Sequence, residues 1–425
     1  MSNPFISMNP ASRRDFLLRS AKTALGVSVL SHLDNVMAAA EPCPPGKGGK
    51  AKSVIYLYMA GGMSHIDTWD PKTGDTNSGA APIKTTGDLM LGGYMTKMAE
   101  HGNKISIIRS MSSKNGAHEG ANYEMHTGYA MRGTIVHPTL GSWAQHYLDE
   151  GKKRAMPASV QIGGGSHGPG FFAPSLSPIP ISSADAGLQN AKTGVGGEEF
   201  NKRVSLMNEF DSTFREKFKS QEVKDYTGFY EETLKLLKSE ELKAFDISQE
   251  DSAAKAMYGT SGFGKGCLLA RRLVEHGVRF VEVQTGGWDM HAGVDAAMKT
   301  TGANMDMVFA TLLTDLKARG LLDSTLVVLG SEFGRTPRIN ENKGRDHYPK
   351  VYSTVFAGGG VKGGFVYGSS DKEGREVTDK QVTVPDFIAT VGAAMGLPVE
   401  KVTFSPSGRP FTVGDKGKVI ADIFV

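Results

Sequence analysis

The sequence predicts an α/β protein built on an open, mostly parallel sheet. Short apolar runs rich in β-branched residues, bounded by turn-formers, recur at residues 53–59, 278–283 and 325–329 and read as buried strands. A helical apolar pattern at residues 303–319 separates the last two, so they form a β-α-β crossover and run parallel. His, Asp and Glu gather just after each run, where open α/β sheets place their ligand crevice.

The 425 residues suffice for one large domain with insertions or for two domains. A composition of 39% hydrophobic and 22% charged residues is that of an ordinary globular chain. The net charge of +3 offers no electrostatic case for a nucleic-acid partner. The two cysteines, Cys43 and Cys267, allow one disulfide or two unpaired thiols, but no disulfide framework.

At the N-terminus, Ser12-Arg-Arg-Asp-Phe-Leu17 precedes a short apolar segment, Ala24-Leu-Gly-Val-Ser-Val-Leu30, and then Ala38-Ala-Ala40. These are the charged, apolar and small-residue regions of a twin-arginine export signal, expected to end at residue 40. The expected product is periplasmic or secreted, with the twin-arginine export machinery as its partner. No stretch is apolar for the ~18 residues that a membrane span needs. After a linker at residues 41–52, the first strand begins.

That strand, Ser53-Val-Ile-Tyr-Leu-Tyr-Met59, runs into a glycine turn carrying His65 and Asp67. Residues 73–93 read as loop, 95–100 as helix and 105–108 as a second short strand. His118 opens a helix that ends near Gly128. Free N–H groups and the positive end of the dipole there suit an anion or an activated nucleophile, although local hydrogen bonding is the simpler role for His118 and His126. Residues 151–200, dense in Gly, Pro and Ser, read as irregular loops, and 201–245 as amphipathic helices; residues 160–260 together read as an insertion or cap. A helix at 264–276, the strand at 278–283, a turn presenting Asp289 and His291, and the helix at 303–319 follow. They lead into the strand at 325–330 and the polar residues Glu332, Arg335, Asp346 and His347. A strand at 352–357, a glycine-rich turn and a helix at 384–395 close the chain.

Asp289, His291, Glu332 and His347 are expected to meet in space. Carboxylates and imidazoles converging from strand ends make either a metal site or a buried hydrogen-bonded network. The chain has no P-loop, no Gly-x-Ser-x-Gly elbow and no dinucleotide fingerprint.

The motifs Ser12-Arg-Arg-Asp-Phe-Leu17, Gly61-Gly-Met-Ser-His-Ile-Asp67, Gly287-Trp-Asp-Met-His291, Gly330-Ser-Glu-Phe-Gly-Arg-Thr-Pro337 and Gly344-Arg-Asp-His347 resemble the exported family catalogued as domain of unknown function 1501. That family is similar to the alkaline phosphatase and sulfatase superfamily. The resemblance implies a three-layer α/β/α sandwich over residues 53–425 and a metal-dependent hydrolase of sulfate or phosphate esters. Carried over by position, it implies a divalent ion (zinc, manganese or calcium) held among His65, Asp67, Asp289, His291, Glu332 and His347. His118 then stands at the nucleophile's place, as nucleophile or general acid/base, and Arg335 binds the anionic group of a small ester or glycan ligand.

The chain also departs from the superfamily. Gly61 occupies the place of a metal-binding Asp, leaving His65 or Asp67 as substitutes, and a histidine at 118 rules out formylglycine. Phe333 stands where an imidazole is expected, so a two-metal site is reduced, to one ion on this reading. The alternative expectation is a catalytically degenerate member that binds a glycan or a protein partner in the same crevice.

Overall fold

The computed structural model describes residues 51–425 except 74–75, 77–78, 149–155, 165–166, 190 and 192–196. The expected export signal, the linker up to residue 50 and Cys43 lie outside the described residues. Cys267 is a buried free thiol. The described residues form one unit.

The central strand β1, Ser53–Met59, is buried along its whole length, as a parallel strand covered on both faces must be. Its neighbours are β5, Phe280–Thr285, and β6, Thr325–Gly330, both parallel to it, with Leu57 opposite Val283 on one side and Leu329 on the other. The expected crossover pair is therefore parallel, with β1 between its two strands. Further strands are β2 (Ile105–Ser112), β3 (Ser159–Ile162), β4 (Ile179–Ile181), β7 (Tyr352–Gly358), β8 (Phe365–Tyr367) and β9 (Val382–Thr383). Among the described residues the sheet has nine strands in the order β8-β2-β7-β6-β1-β5-β3-β4, with β9 also on β2. Only β7 is reversed, antiparallel to both β6 and β2.

Alternation along β1 assigns the two helical layers. Val54, Tyr56 and Tyr58 pack with α1 (His118–Thr127), α2 (Leu140–Leu148) and α8 (Val384–Ala394), through Met125, Trp143, Phe387 and Ile388. Ile55, Leu57 and Met59 pack with α6 (Gly262–Glu275) and α7 (Ala303–Ala318), through Leu269, Leu273, Phe309 and Leu312. The result is the three-layer α/β/α sandwich, in which each fully buried aliphatic or aromatic side chain contributes roughly 1.5–3 kcal/mol. α1 stops where Gly128 turns left-handed at φ 78°, and a Cβ there would meet Gly414 Cα at 2.7 Å.

Two local readings differ from the structure. Residues 151–200, expected to be irregular, contribute β3 and β4 to the main sheet. Strands of four and three residues are too short to show an apolar period between glycines and prolines. The helix expected at 95–100 is a 3-10 helix at Met98–Lys104.

The helices expected in the inserted stretch are α3, Gly197–Lys217, and α4, Gln221–Leu237. After the short helix α5, Ser252–Tyr258, the chain enters α6. This stretch is pinned to the layer beneath by charge: Glu250 accepts hydrogen bonds from Arg271 and Arg272 of α6. Arg271 Nε also donates to Asp315 Oδ2 of α7 at 2.9 Å. Burial alone would raise the Glu250 pKa, but the two guanidinium groups hold it down to about 2.

Candidate metal centre

Strands β1, β2, β5 and β6 all end at one edge of the sheet, and reversed β7 begins there. Their following residues supply the polar groups: Gly61 after β1, His118 after β2, Asp289 and His291 after β5, and Glu332 and Arg335 after β6. The chain then returns through a two-residue ribbon, with His347 opposite Arg335, before entering β7.

Gly61 explains one departure anticipated from the sequence. It has φ 123°, and a Cβ there would lie 2.5 Å from the backbone N of Asp289 and 2.8 Å from the backbone C of Trp288. No side chain fits, so residues 288–289 fill the space that a first-strand Asp would enter. The substitutes do not enter it either. Asp67 is gripped by Arg345, whose Nε and Nη2 reach its two oxygens at 2.7 and 3.0 Å with both residues buried. His65 is buried and places Nε2 3.0 Å from the carbonyl of Gly374. Asp67 is thus tied to Arg345, and neither residue belongs to the group of His118, Asp289 and His347, while His65 Nδ1 is buried without a hydrogen-bond partner.

Glu332 is also placed differently from expectation. It is 2% exposed. Its Oε1 accepts from the Gly61 N–H at 2.8 Å and from His118 Nδ1 at 2.8 Å; its Oε2 accepts from Tyr58 OH at 3.2 Å and Ser331 Oγ at 3.1 Å. The single Ser331 proton is shared with Met59 O at 2.7 Å, so three donors are fully committed to this carboxylate, which orients His118. Burial, and after it the charge of Glu332, raises the Tyr58 pKa far above the ordinary value, so Tyr58 stays a neutral donor.

Three imidazoles share one pattern. His118 Nδ1 points at Glu332, His291 Nδ1 at Asp346 Oδ1 at 3.0 Å, and His347 Nδ1 at the carbonyl of Gly116 at 2.8 Å. Each acceptor oxygen requires the proton on Nδ1, which leaves each Nε2 a lone pair directed inward. From Asp289 Oδ1, the three Nε2 atoms lie at 3.4 Å (His118), 3.1 Å (His291) and 3.2 Å (His347), while those of His291 and His347 are 3.0 Å apart. His118 Nε2 is buried without a hydrogen-bond partner. Lone pairs and a carboxylate at this spacing repel one another unless positive charge lies among them; Arg335 supplies part of it at Asp289 Oδ1 and beside His291 Nε2, and a metal ion or protons would supply the rest. A tetrahedral ion with bonds of about 2.0–2.1 Å has ligand edges of about 3.3 Å. The donor set therefore fits a divalent cation, and His118, Asp289 and His347 each offer an atom within 4.8 Å of the others.

Arg335 is fully buried and faces inward. Its Nε donates to Gly62 O at 2.8 Å, Nη1 to Arg345 O at 3.0 Å, and Nη2 to Gly61 O and Asp289 Oδ1. It braces the loops and fixes Asp289. Burial opposes ionisation of Asp289, but the hydrogen bond from Arg335 and its charge hold the pKa down to about 2. Phe333, also fully buried, lies with its ring centroid 5.0 Å from that of His118 and 4.6 Å from that of His347. The place expected for an imidazole is an apolar wall.

Arg345, Tyr58 and Ser331 were given no site role by sequence reasoning. Arg345 turns to Asp67, while the next two residues reach the cluster, Asp346 through His291 and His347 directly.

The family model described as "Protein of unknown function (DUF1501)" matches residues 51–424. The chain belongs to the DUF1501 family. No curated protein matches its sequence. Among solved structures, this DUF1501 chain is similar to a sulfatase from Pseudoalteromonas sp., at 12% identity and TM-score 0.37 over 86% of this chain and 73% of that one. It is also similar to the alkaline phosphatase of the Antarctic bacterium TAB5, at 10% identity and TM-score 0.37 over 82% and 98%. A third is the lipoteichoic acid synthase LtaP of Listeria monocytogenes, at 11% identity and TM-score 0.34 over 86% and 78%. Among the described residues of this DUF1501 chain, no helix is long and apolar enough to cross a membrane.

Proposed function

We propose that this chain is an exported, single-cation hydrolase of phosphate or sulfate esters, carried beyond the inner membrane by the twin-arginine signal read at residues 12–40. The observation that carries the reading is the shared orientation of His118, His291 and His347, each with Nδ1 tied to an oxygen and Nε2 turned toward Asp289. His118, Asp289 and His347 would hold the ion. When bound, a divalent cation there supplies a Lewis acid for an ester oxygen or lowers the pKa of a bound water.

The remaining groups divide the proton work. His291 has the most exposed side chain of the three rings, at 46% against 38% for His118 and 27% for His347, so it meets water and substrate. Its Nε2 accepts the proton of the attacking water and returns it to the leaving alcohol oxygen, while Asp346 stabilises the imidazolium. Water adds to phosphorus or sulfur as the ester oxygen leaves, so the products are the alcohol and the free oxyanion. Glu332 keeps His118 in one tautomer, and Phe333 leaves no room for a second set of ligands.

A second reading has its own support. The donor nitrogens of Arg335 are spent on carbonyls, Asp289 and His291 Nε2, which favours a degenerate member that binds a glycan or protein partner over one that grips an anionic transition state.

One preparation separates the two. Metal content is measured by elemental analysis, and chromogenic phosphate monoesters, phosphodiesters and sulfate esters are assayed with added zinc, manganese or calcium. The hydrolase reading expects one ion per chain and turnover that is lost in His347→Ala. Bound metal without turnover of any ester would leave the binding role, and no metal under any condition would end the metal-centre assignment.

A further inference from the structure

The turn that carries the chain from β2 into α1 is Ser113-Lys-Asn-Gly-Ala117, and its Asn115-Gly116 step is the one Asn-Gly pair in the sequence. Glycine leaves the backbone nitrogen after an asparagine open to attack on the side-chain amide, because no Cβ shields it. Three features of this turn favour that attack. Asn115 Oδ1 accepts from the Ala117 N–H at 3.0 Å, which folds the amide forward over Gly116 and draws electrons from its carbonyl carbon. The Gly116 N–H has no hydrogen-bond partner among the described residues, whereas Asn115 N donates to Ser113 Oγ at 3.0 Å. Both residues are half-buried, so water reaches them. The backbone does not demand this glycine: Gly116 lies outside the left-handed region, and a Cβ there would meet Pro349 at an ordinary 3.5 Å.

We propose that Asn115 is a site of spontaneous deamidation whose isoaspartyl product loosens the metal centre; the second half of this rests on the centre assigned above. Gly116 N bonds to Asn115 Cγ, the Cγ–Nδ2 bond breaks, and the side-chain nitrogen leaves as ammonia with the Gly116 proton. Water then opens the five-membered imide at either carbonyl. One opening gives aspartate. The other gives isoaspartate, whose main chain runs through Cβ and Cγ and is one carbon longer. That carbon enters immediately before Gly116, whose carbonyl accepts from His347 Nδ1 at 2.8 Å, and shortly before His118 opens α1. The amide also rests on the first turn of α1, where a Cβ at Gly120 would lie 2.1 Å from Asn115 Nδ2. A longer main chain at this point displaces the acceptor that fixes the His347 tautomer and the turn that aims His118.

Incubation of the full chain in mildly alkaline buffer tests this, followed by peptide mass spectrometry and by enzymatic methylation of isoaspartate in denatured samples. The expected result is conversion at Asn115 ahead of every other asparagine, with isoaspartate formed. Zinc affinity, measured by calorimetry, should fall on the order of 10–100-fold in the converted protein, as loss of the partner behind a metal-bound histidine does. Asn115→Ser, which keeps an oxygen for the Ala117 N–H, should hold its zinc affinity through the same incubation, and Gly116→Ala should lose the conversion. Conversion that spares Asn115, that persists in Gly116→Ala, or that leaves zinc affinity unchanged would overturn the proposal. If fresh protein binds no zinc, the metal-centre reading fails instead, and the mass result alone decides whether Asn115 is the site.

Discussion

His118 Nδ1 donates to Glu332 Oε1 at 2.8 Å, and the same oxygen receives the Gly61 N–H at 2.8 Å. One buried carboxylate thus joins the ends of β1 and β6 to the first residue of α1. Its effect on chemistry passes through the ring it orients.

Glu332→Gln should lower affinity for zinc or manganese on the order of 10–100-fold with the fold retained, as loss of a carboxylate behind a metal-bound histidine does. Calorimetric titration of the metal-stripped protein measures it. Unchanged affinity would show that His118 needs no orientation.

His291→Gln and His347→Ala should fail differently. The first is expected to keep the ion and lose kcat by on the order of 10²–10⁴-fold, the usual worth of a general acid/base. The second loses the ion itself. Parallel metal analysis and ester turnover distinguish them, and loss of the ion in both would make His291 a ligand.

Restoring a carboxylate by Gly61→Asp should not restore a second ion. The new Cβ would press on the backbone of Trp288 and Asp289, in a conformation that L-residues rarely adopt. Destabilisation of roughly 1–3 kcal/mol is expected in urea denaturation, from the overpacking alone. A stable variant holding two ions would contradict this account of Gly61.

Arg335→Lys should cost roughly 3–5 kcal/mol, because an ammonium group reaches fewer of the four acceptors and leaves buried carbonyls unmatched. Denaturation midpoints with and without metal test whether the loss belongs to the loops or to the ion.

The buried pair beneath the site gives a pH signature. Burial would lower the His126 pKa, but Glu282, 3.0 Å away, overrides it and raises the value above 6.5. A group whose folded pKa is raised contributes its full stability below 6.5 and loses it as pH rises through the folded value. Stability should therefore fall on the alkaline side of 6.5, and the fall should shrink in Glu282→Gln. Equal pH profiles for the two proteins would rule this out.

The parallel strands and their crossover helix were legible because β1, β5, β6 and α7 carry regular apolar patterns, whereas the two helical layers were implied by the family resemblance. The short strands β3 and β4 escaped because three or four residues carry no period. In the site, sequence spacing brought Asp289, His291 and His347 to one edge, and the turn glycines marked the approach. It did not separate holders from held. Glu332 and Arg335 look like a ligand and an anion clamp as residue types, and their burial and hydrogen-bond partners are visible only in the structure. Asp67 was assigned to the ion because Arg345, 278 residues away, is its partner only in three dimensions.

The reversal of β7 bears on when the site comes together. Glu332, Arg335, Asp346 and His347 lie on one excursion that leaves and re-enters the sheet at the same edge, so their contacts are local and close early. His118 and Asp289 arrive through distant crossovers, and loop-closure entropy makes such contacts late. An ion needing both groups finds its ligands complete only near the native state. It should slow unfolding while leaving the rate of folding almost untouched, acting as a latch on the finished sheet rather than a seed for it.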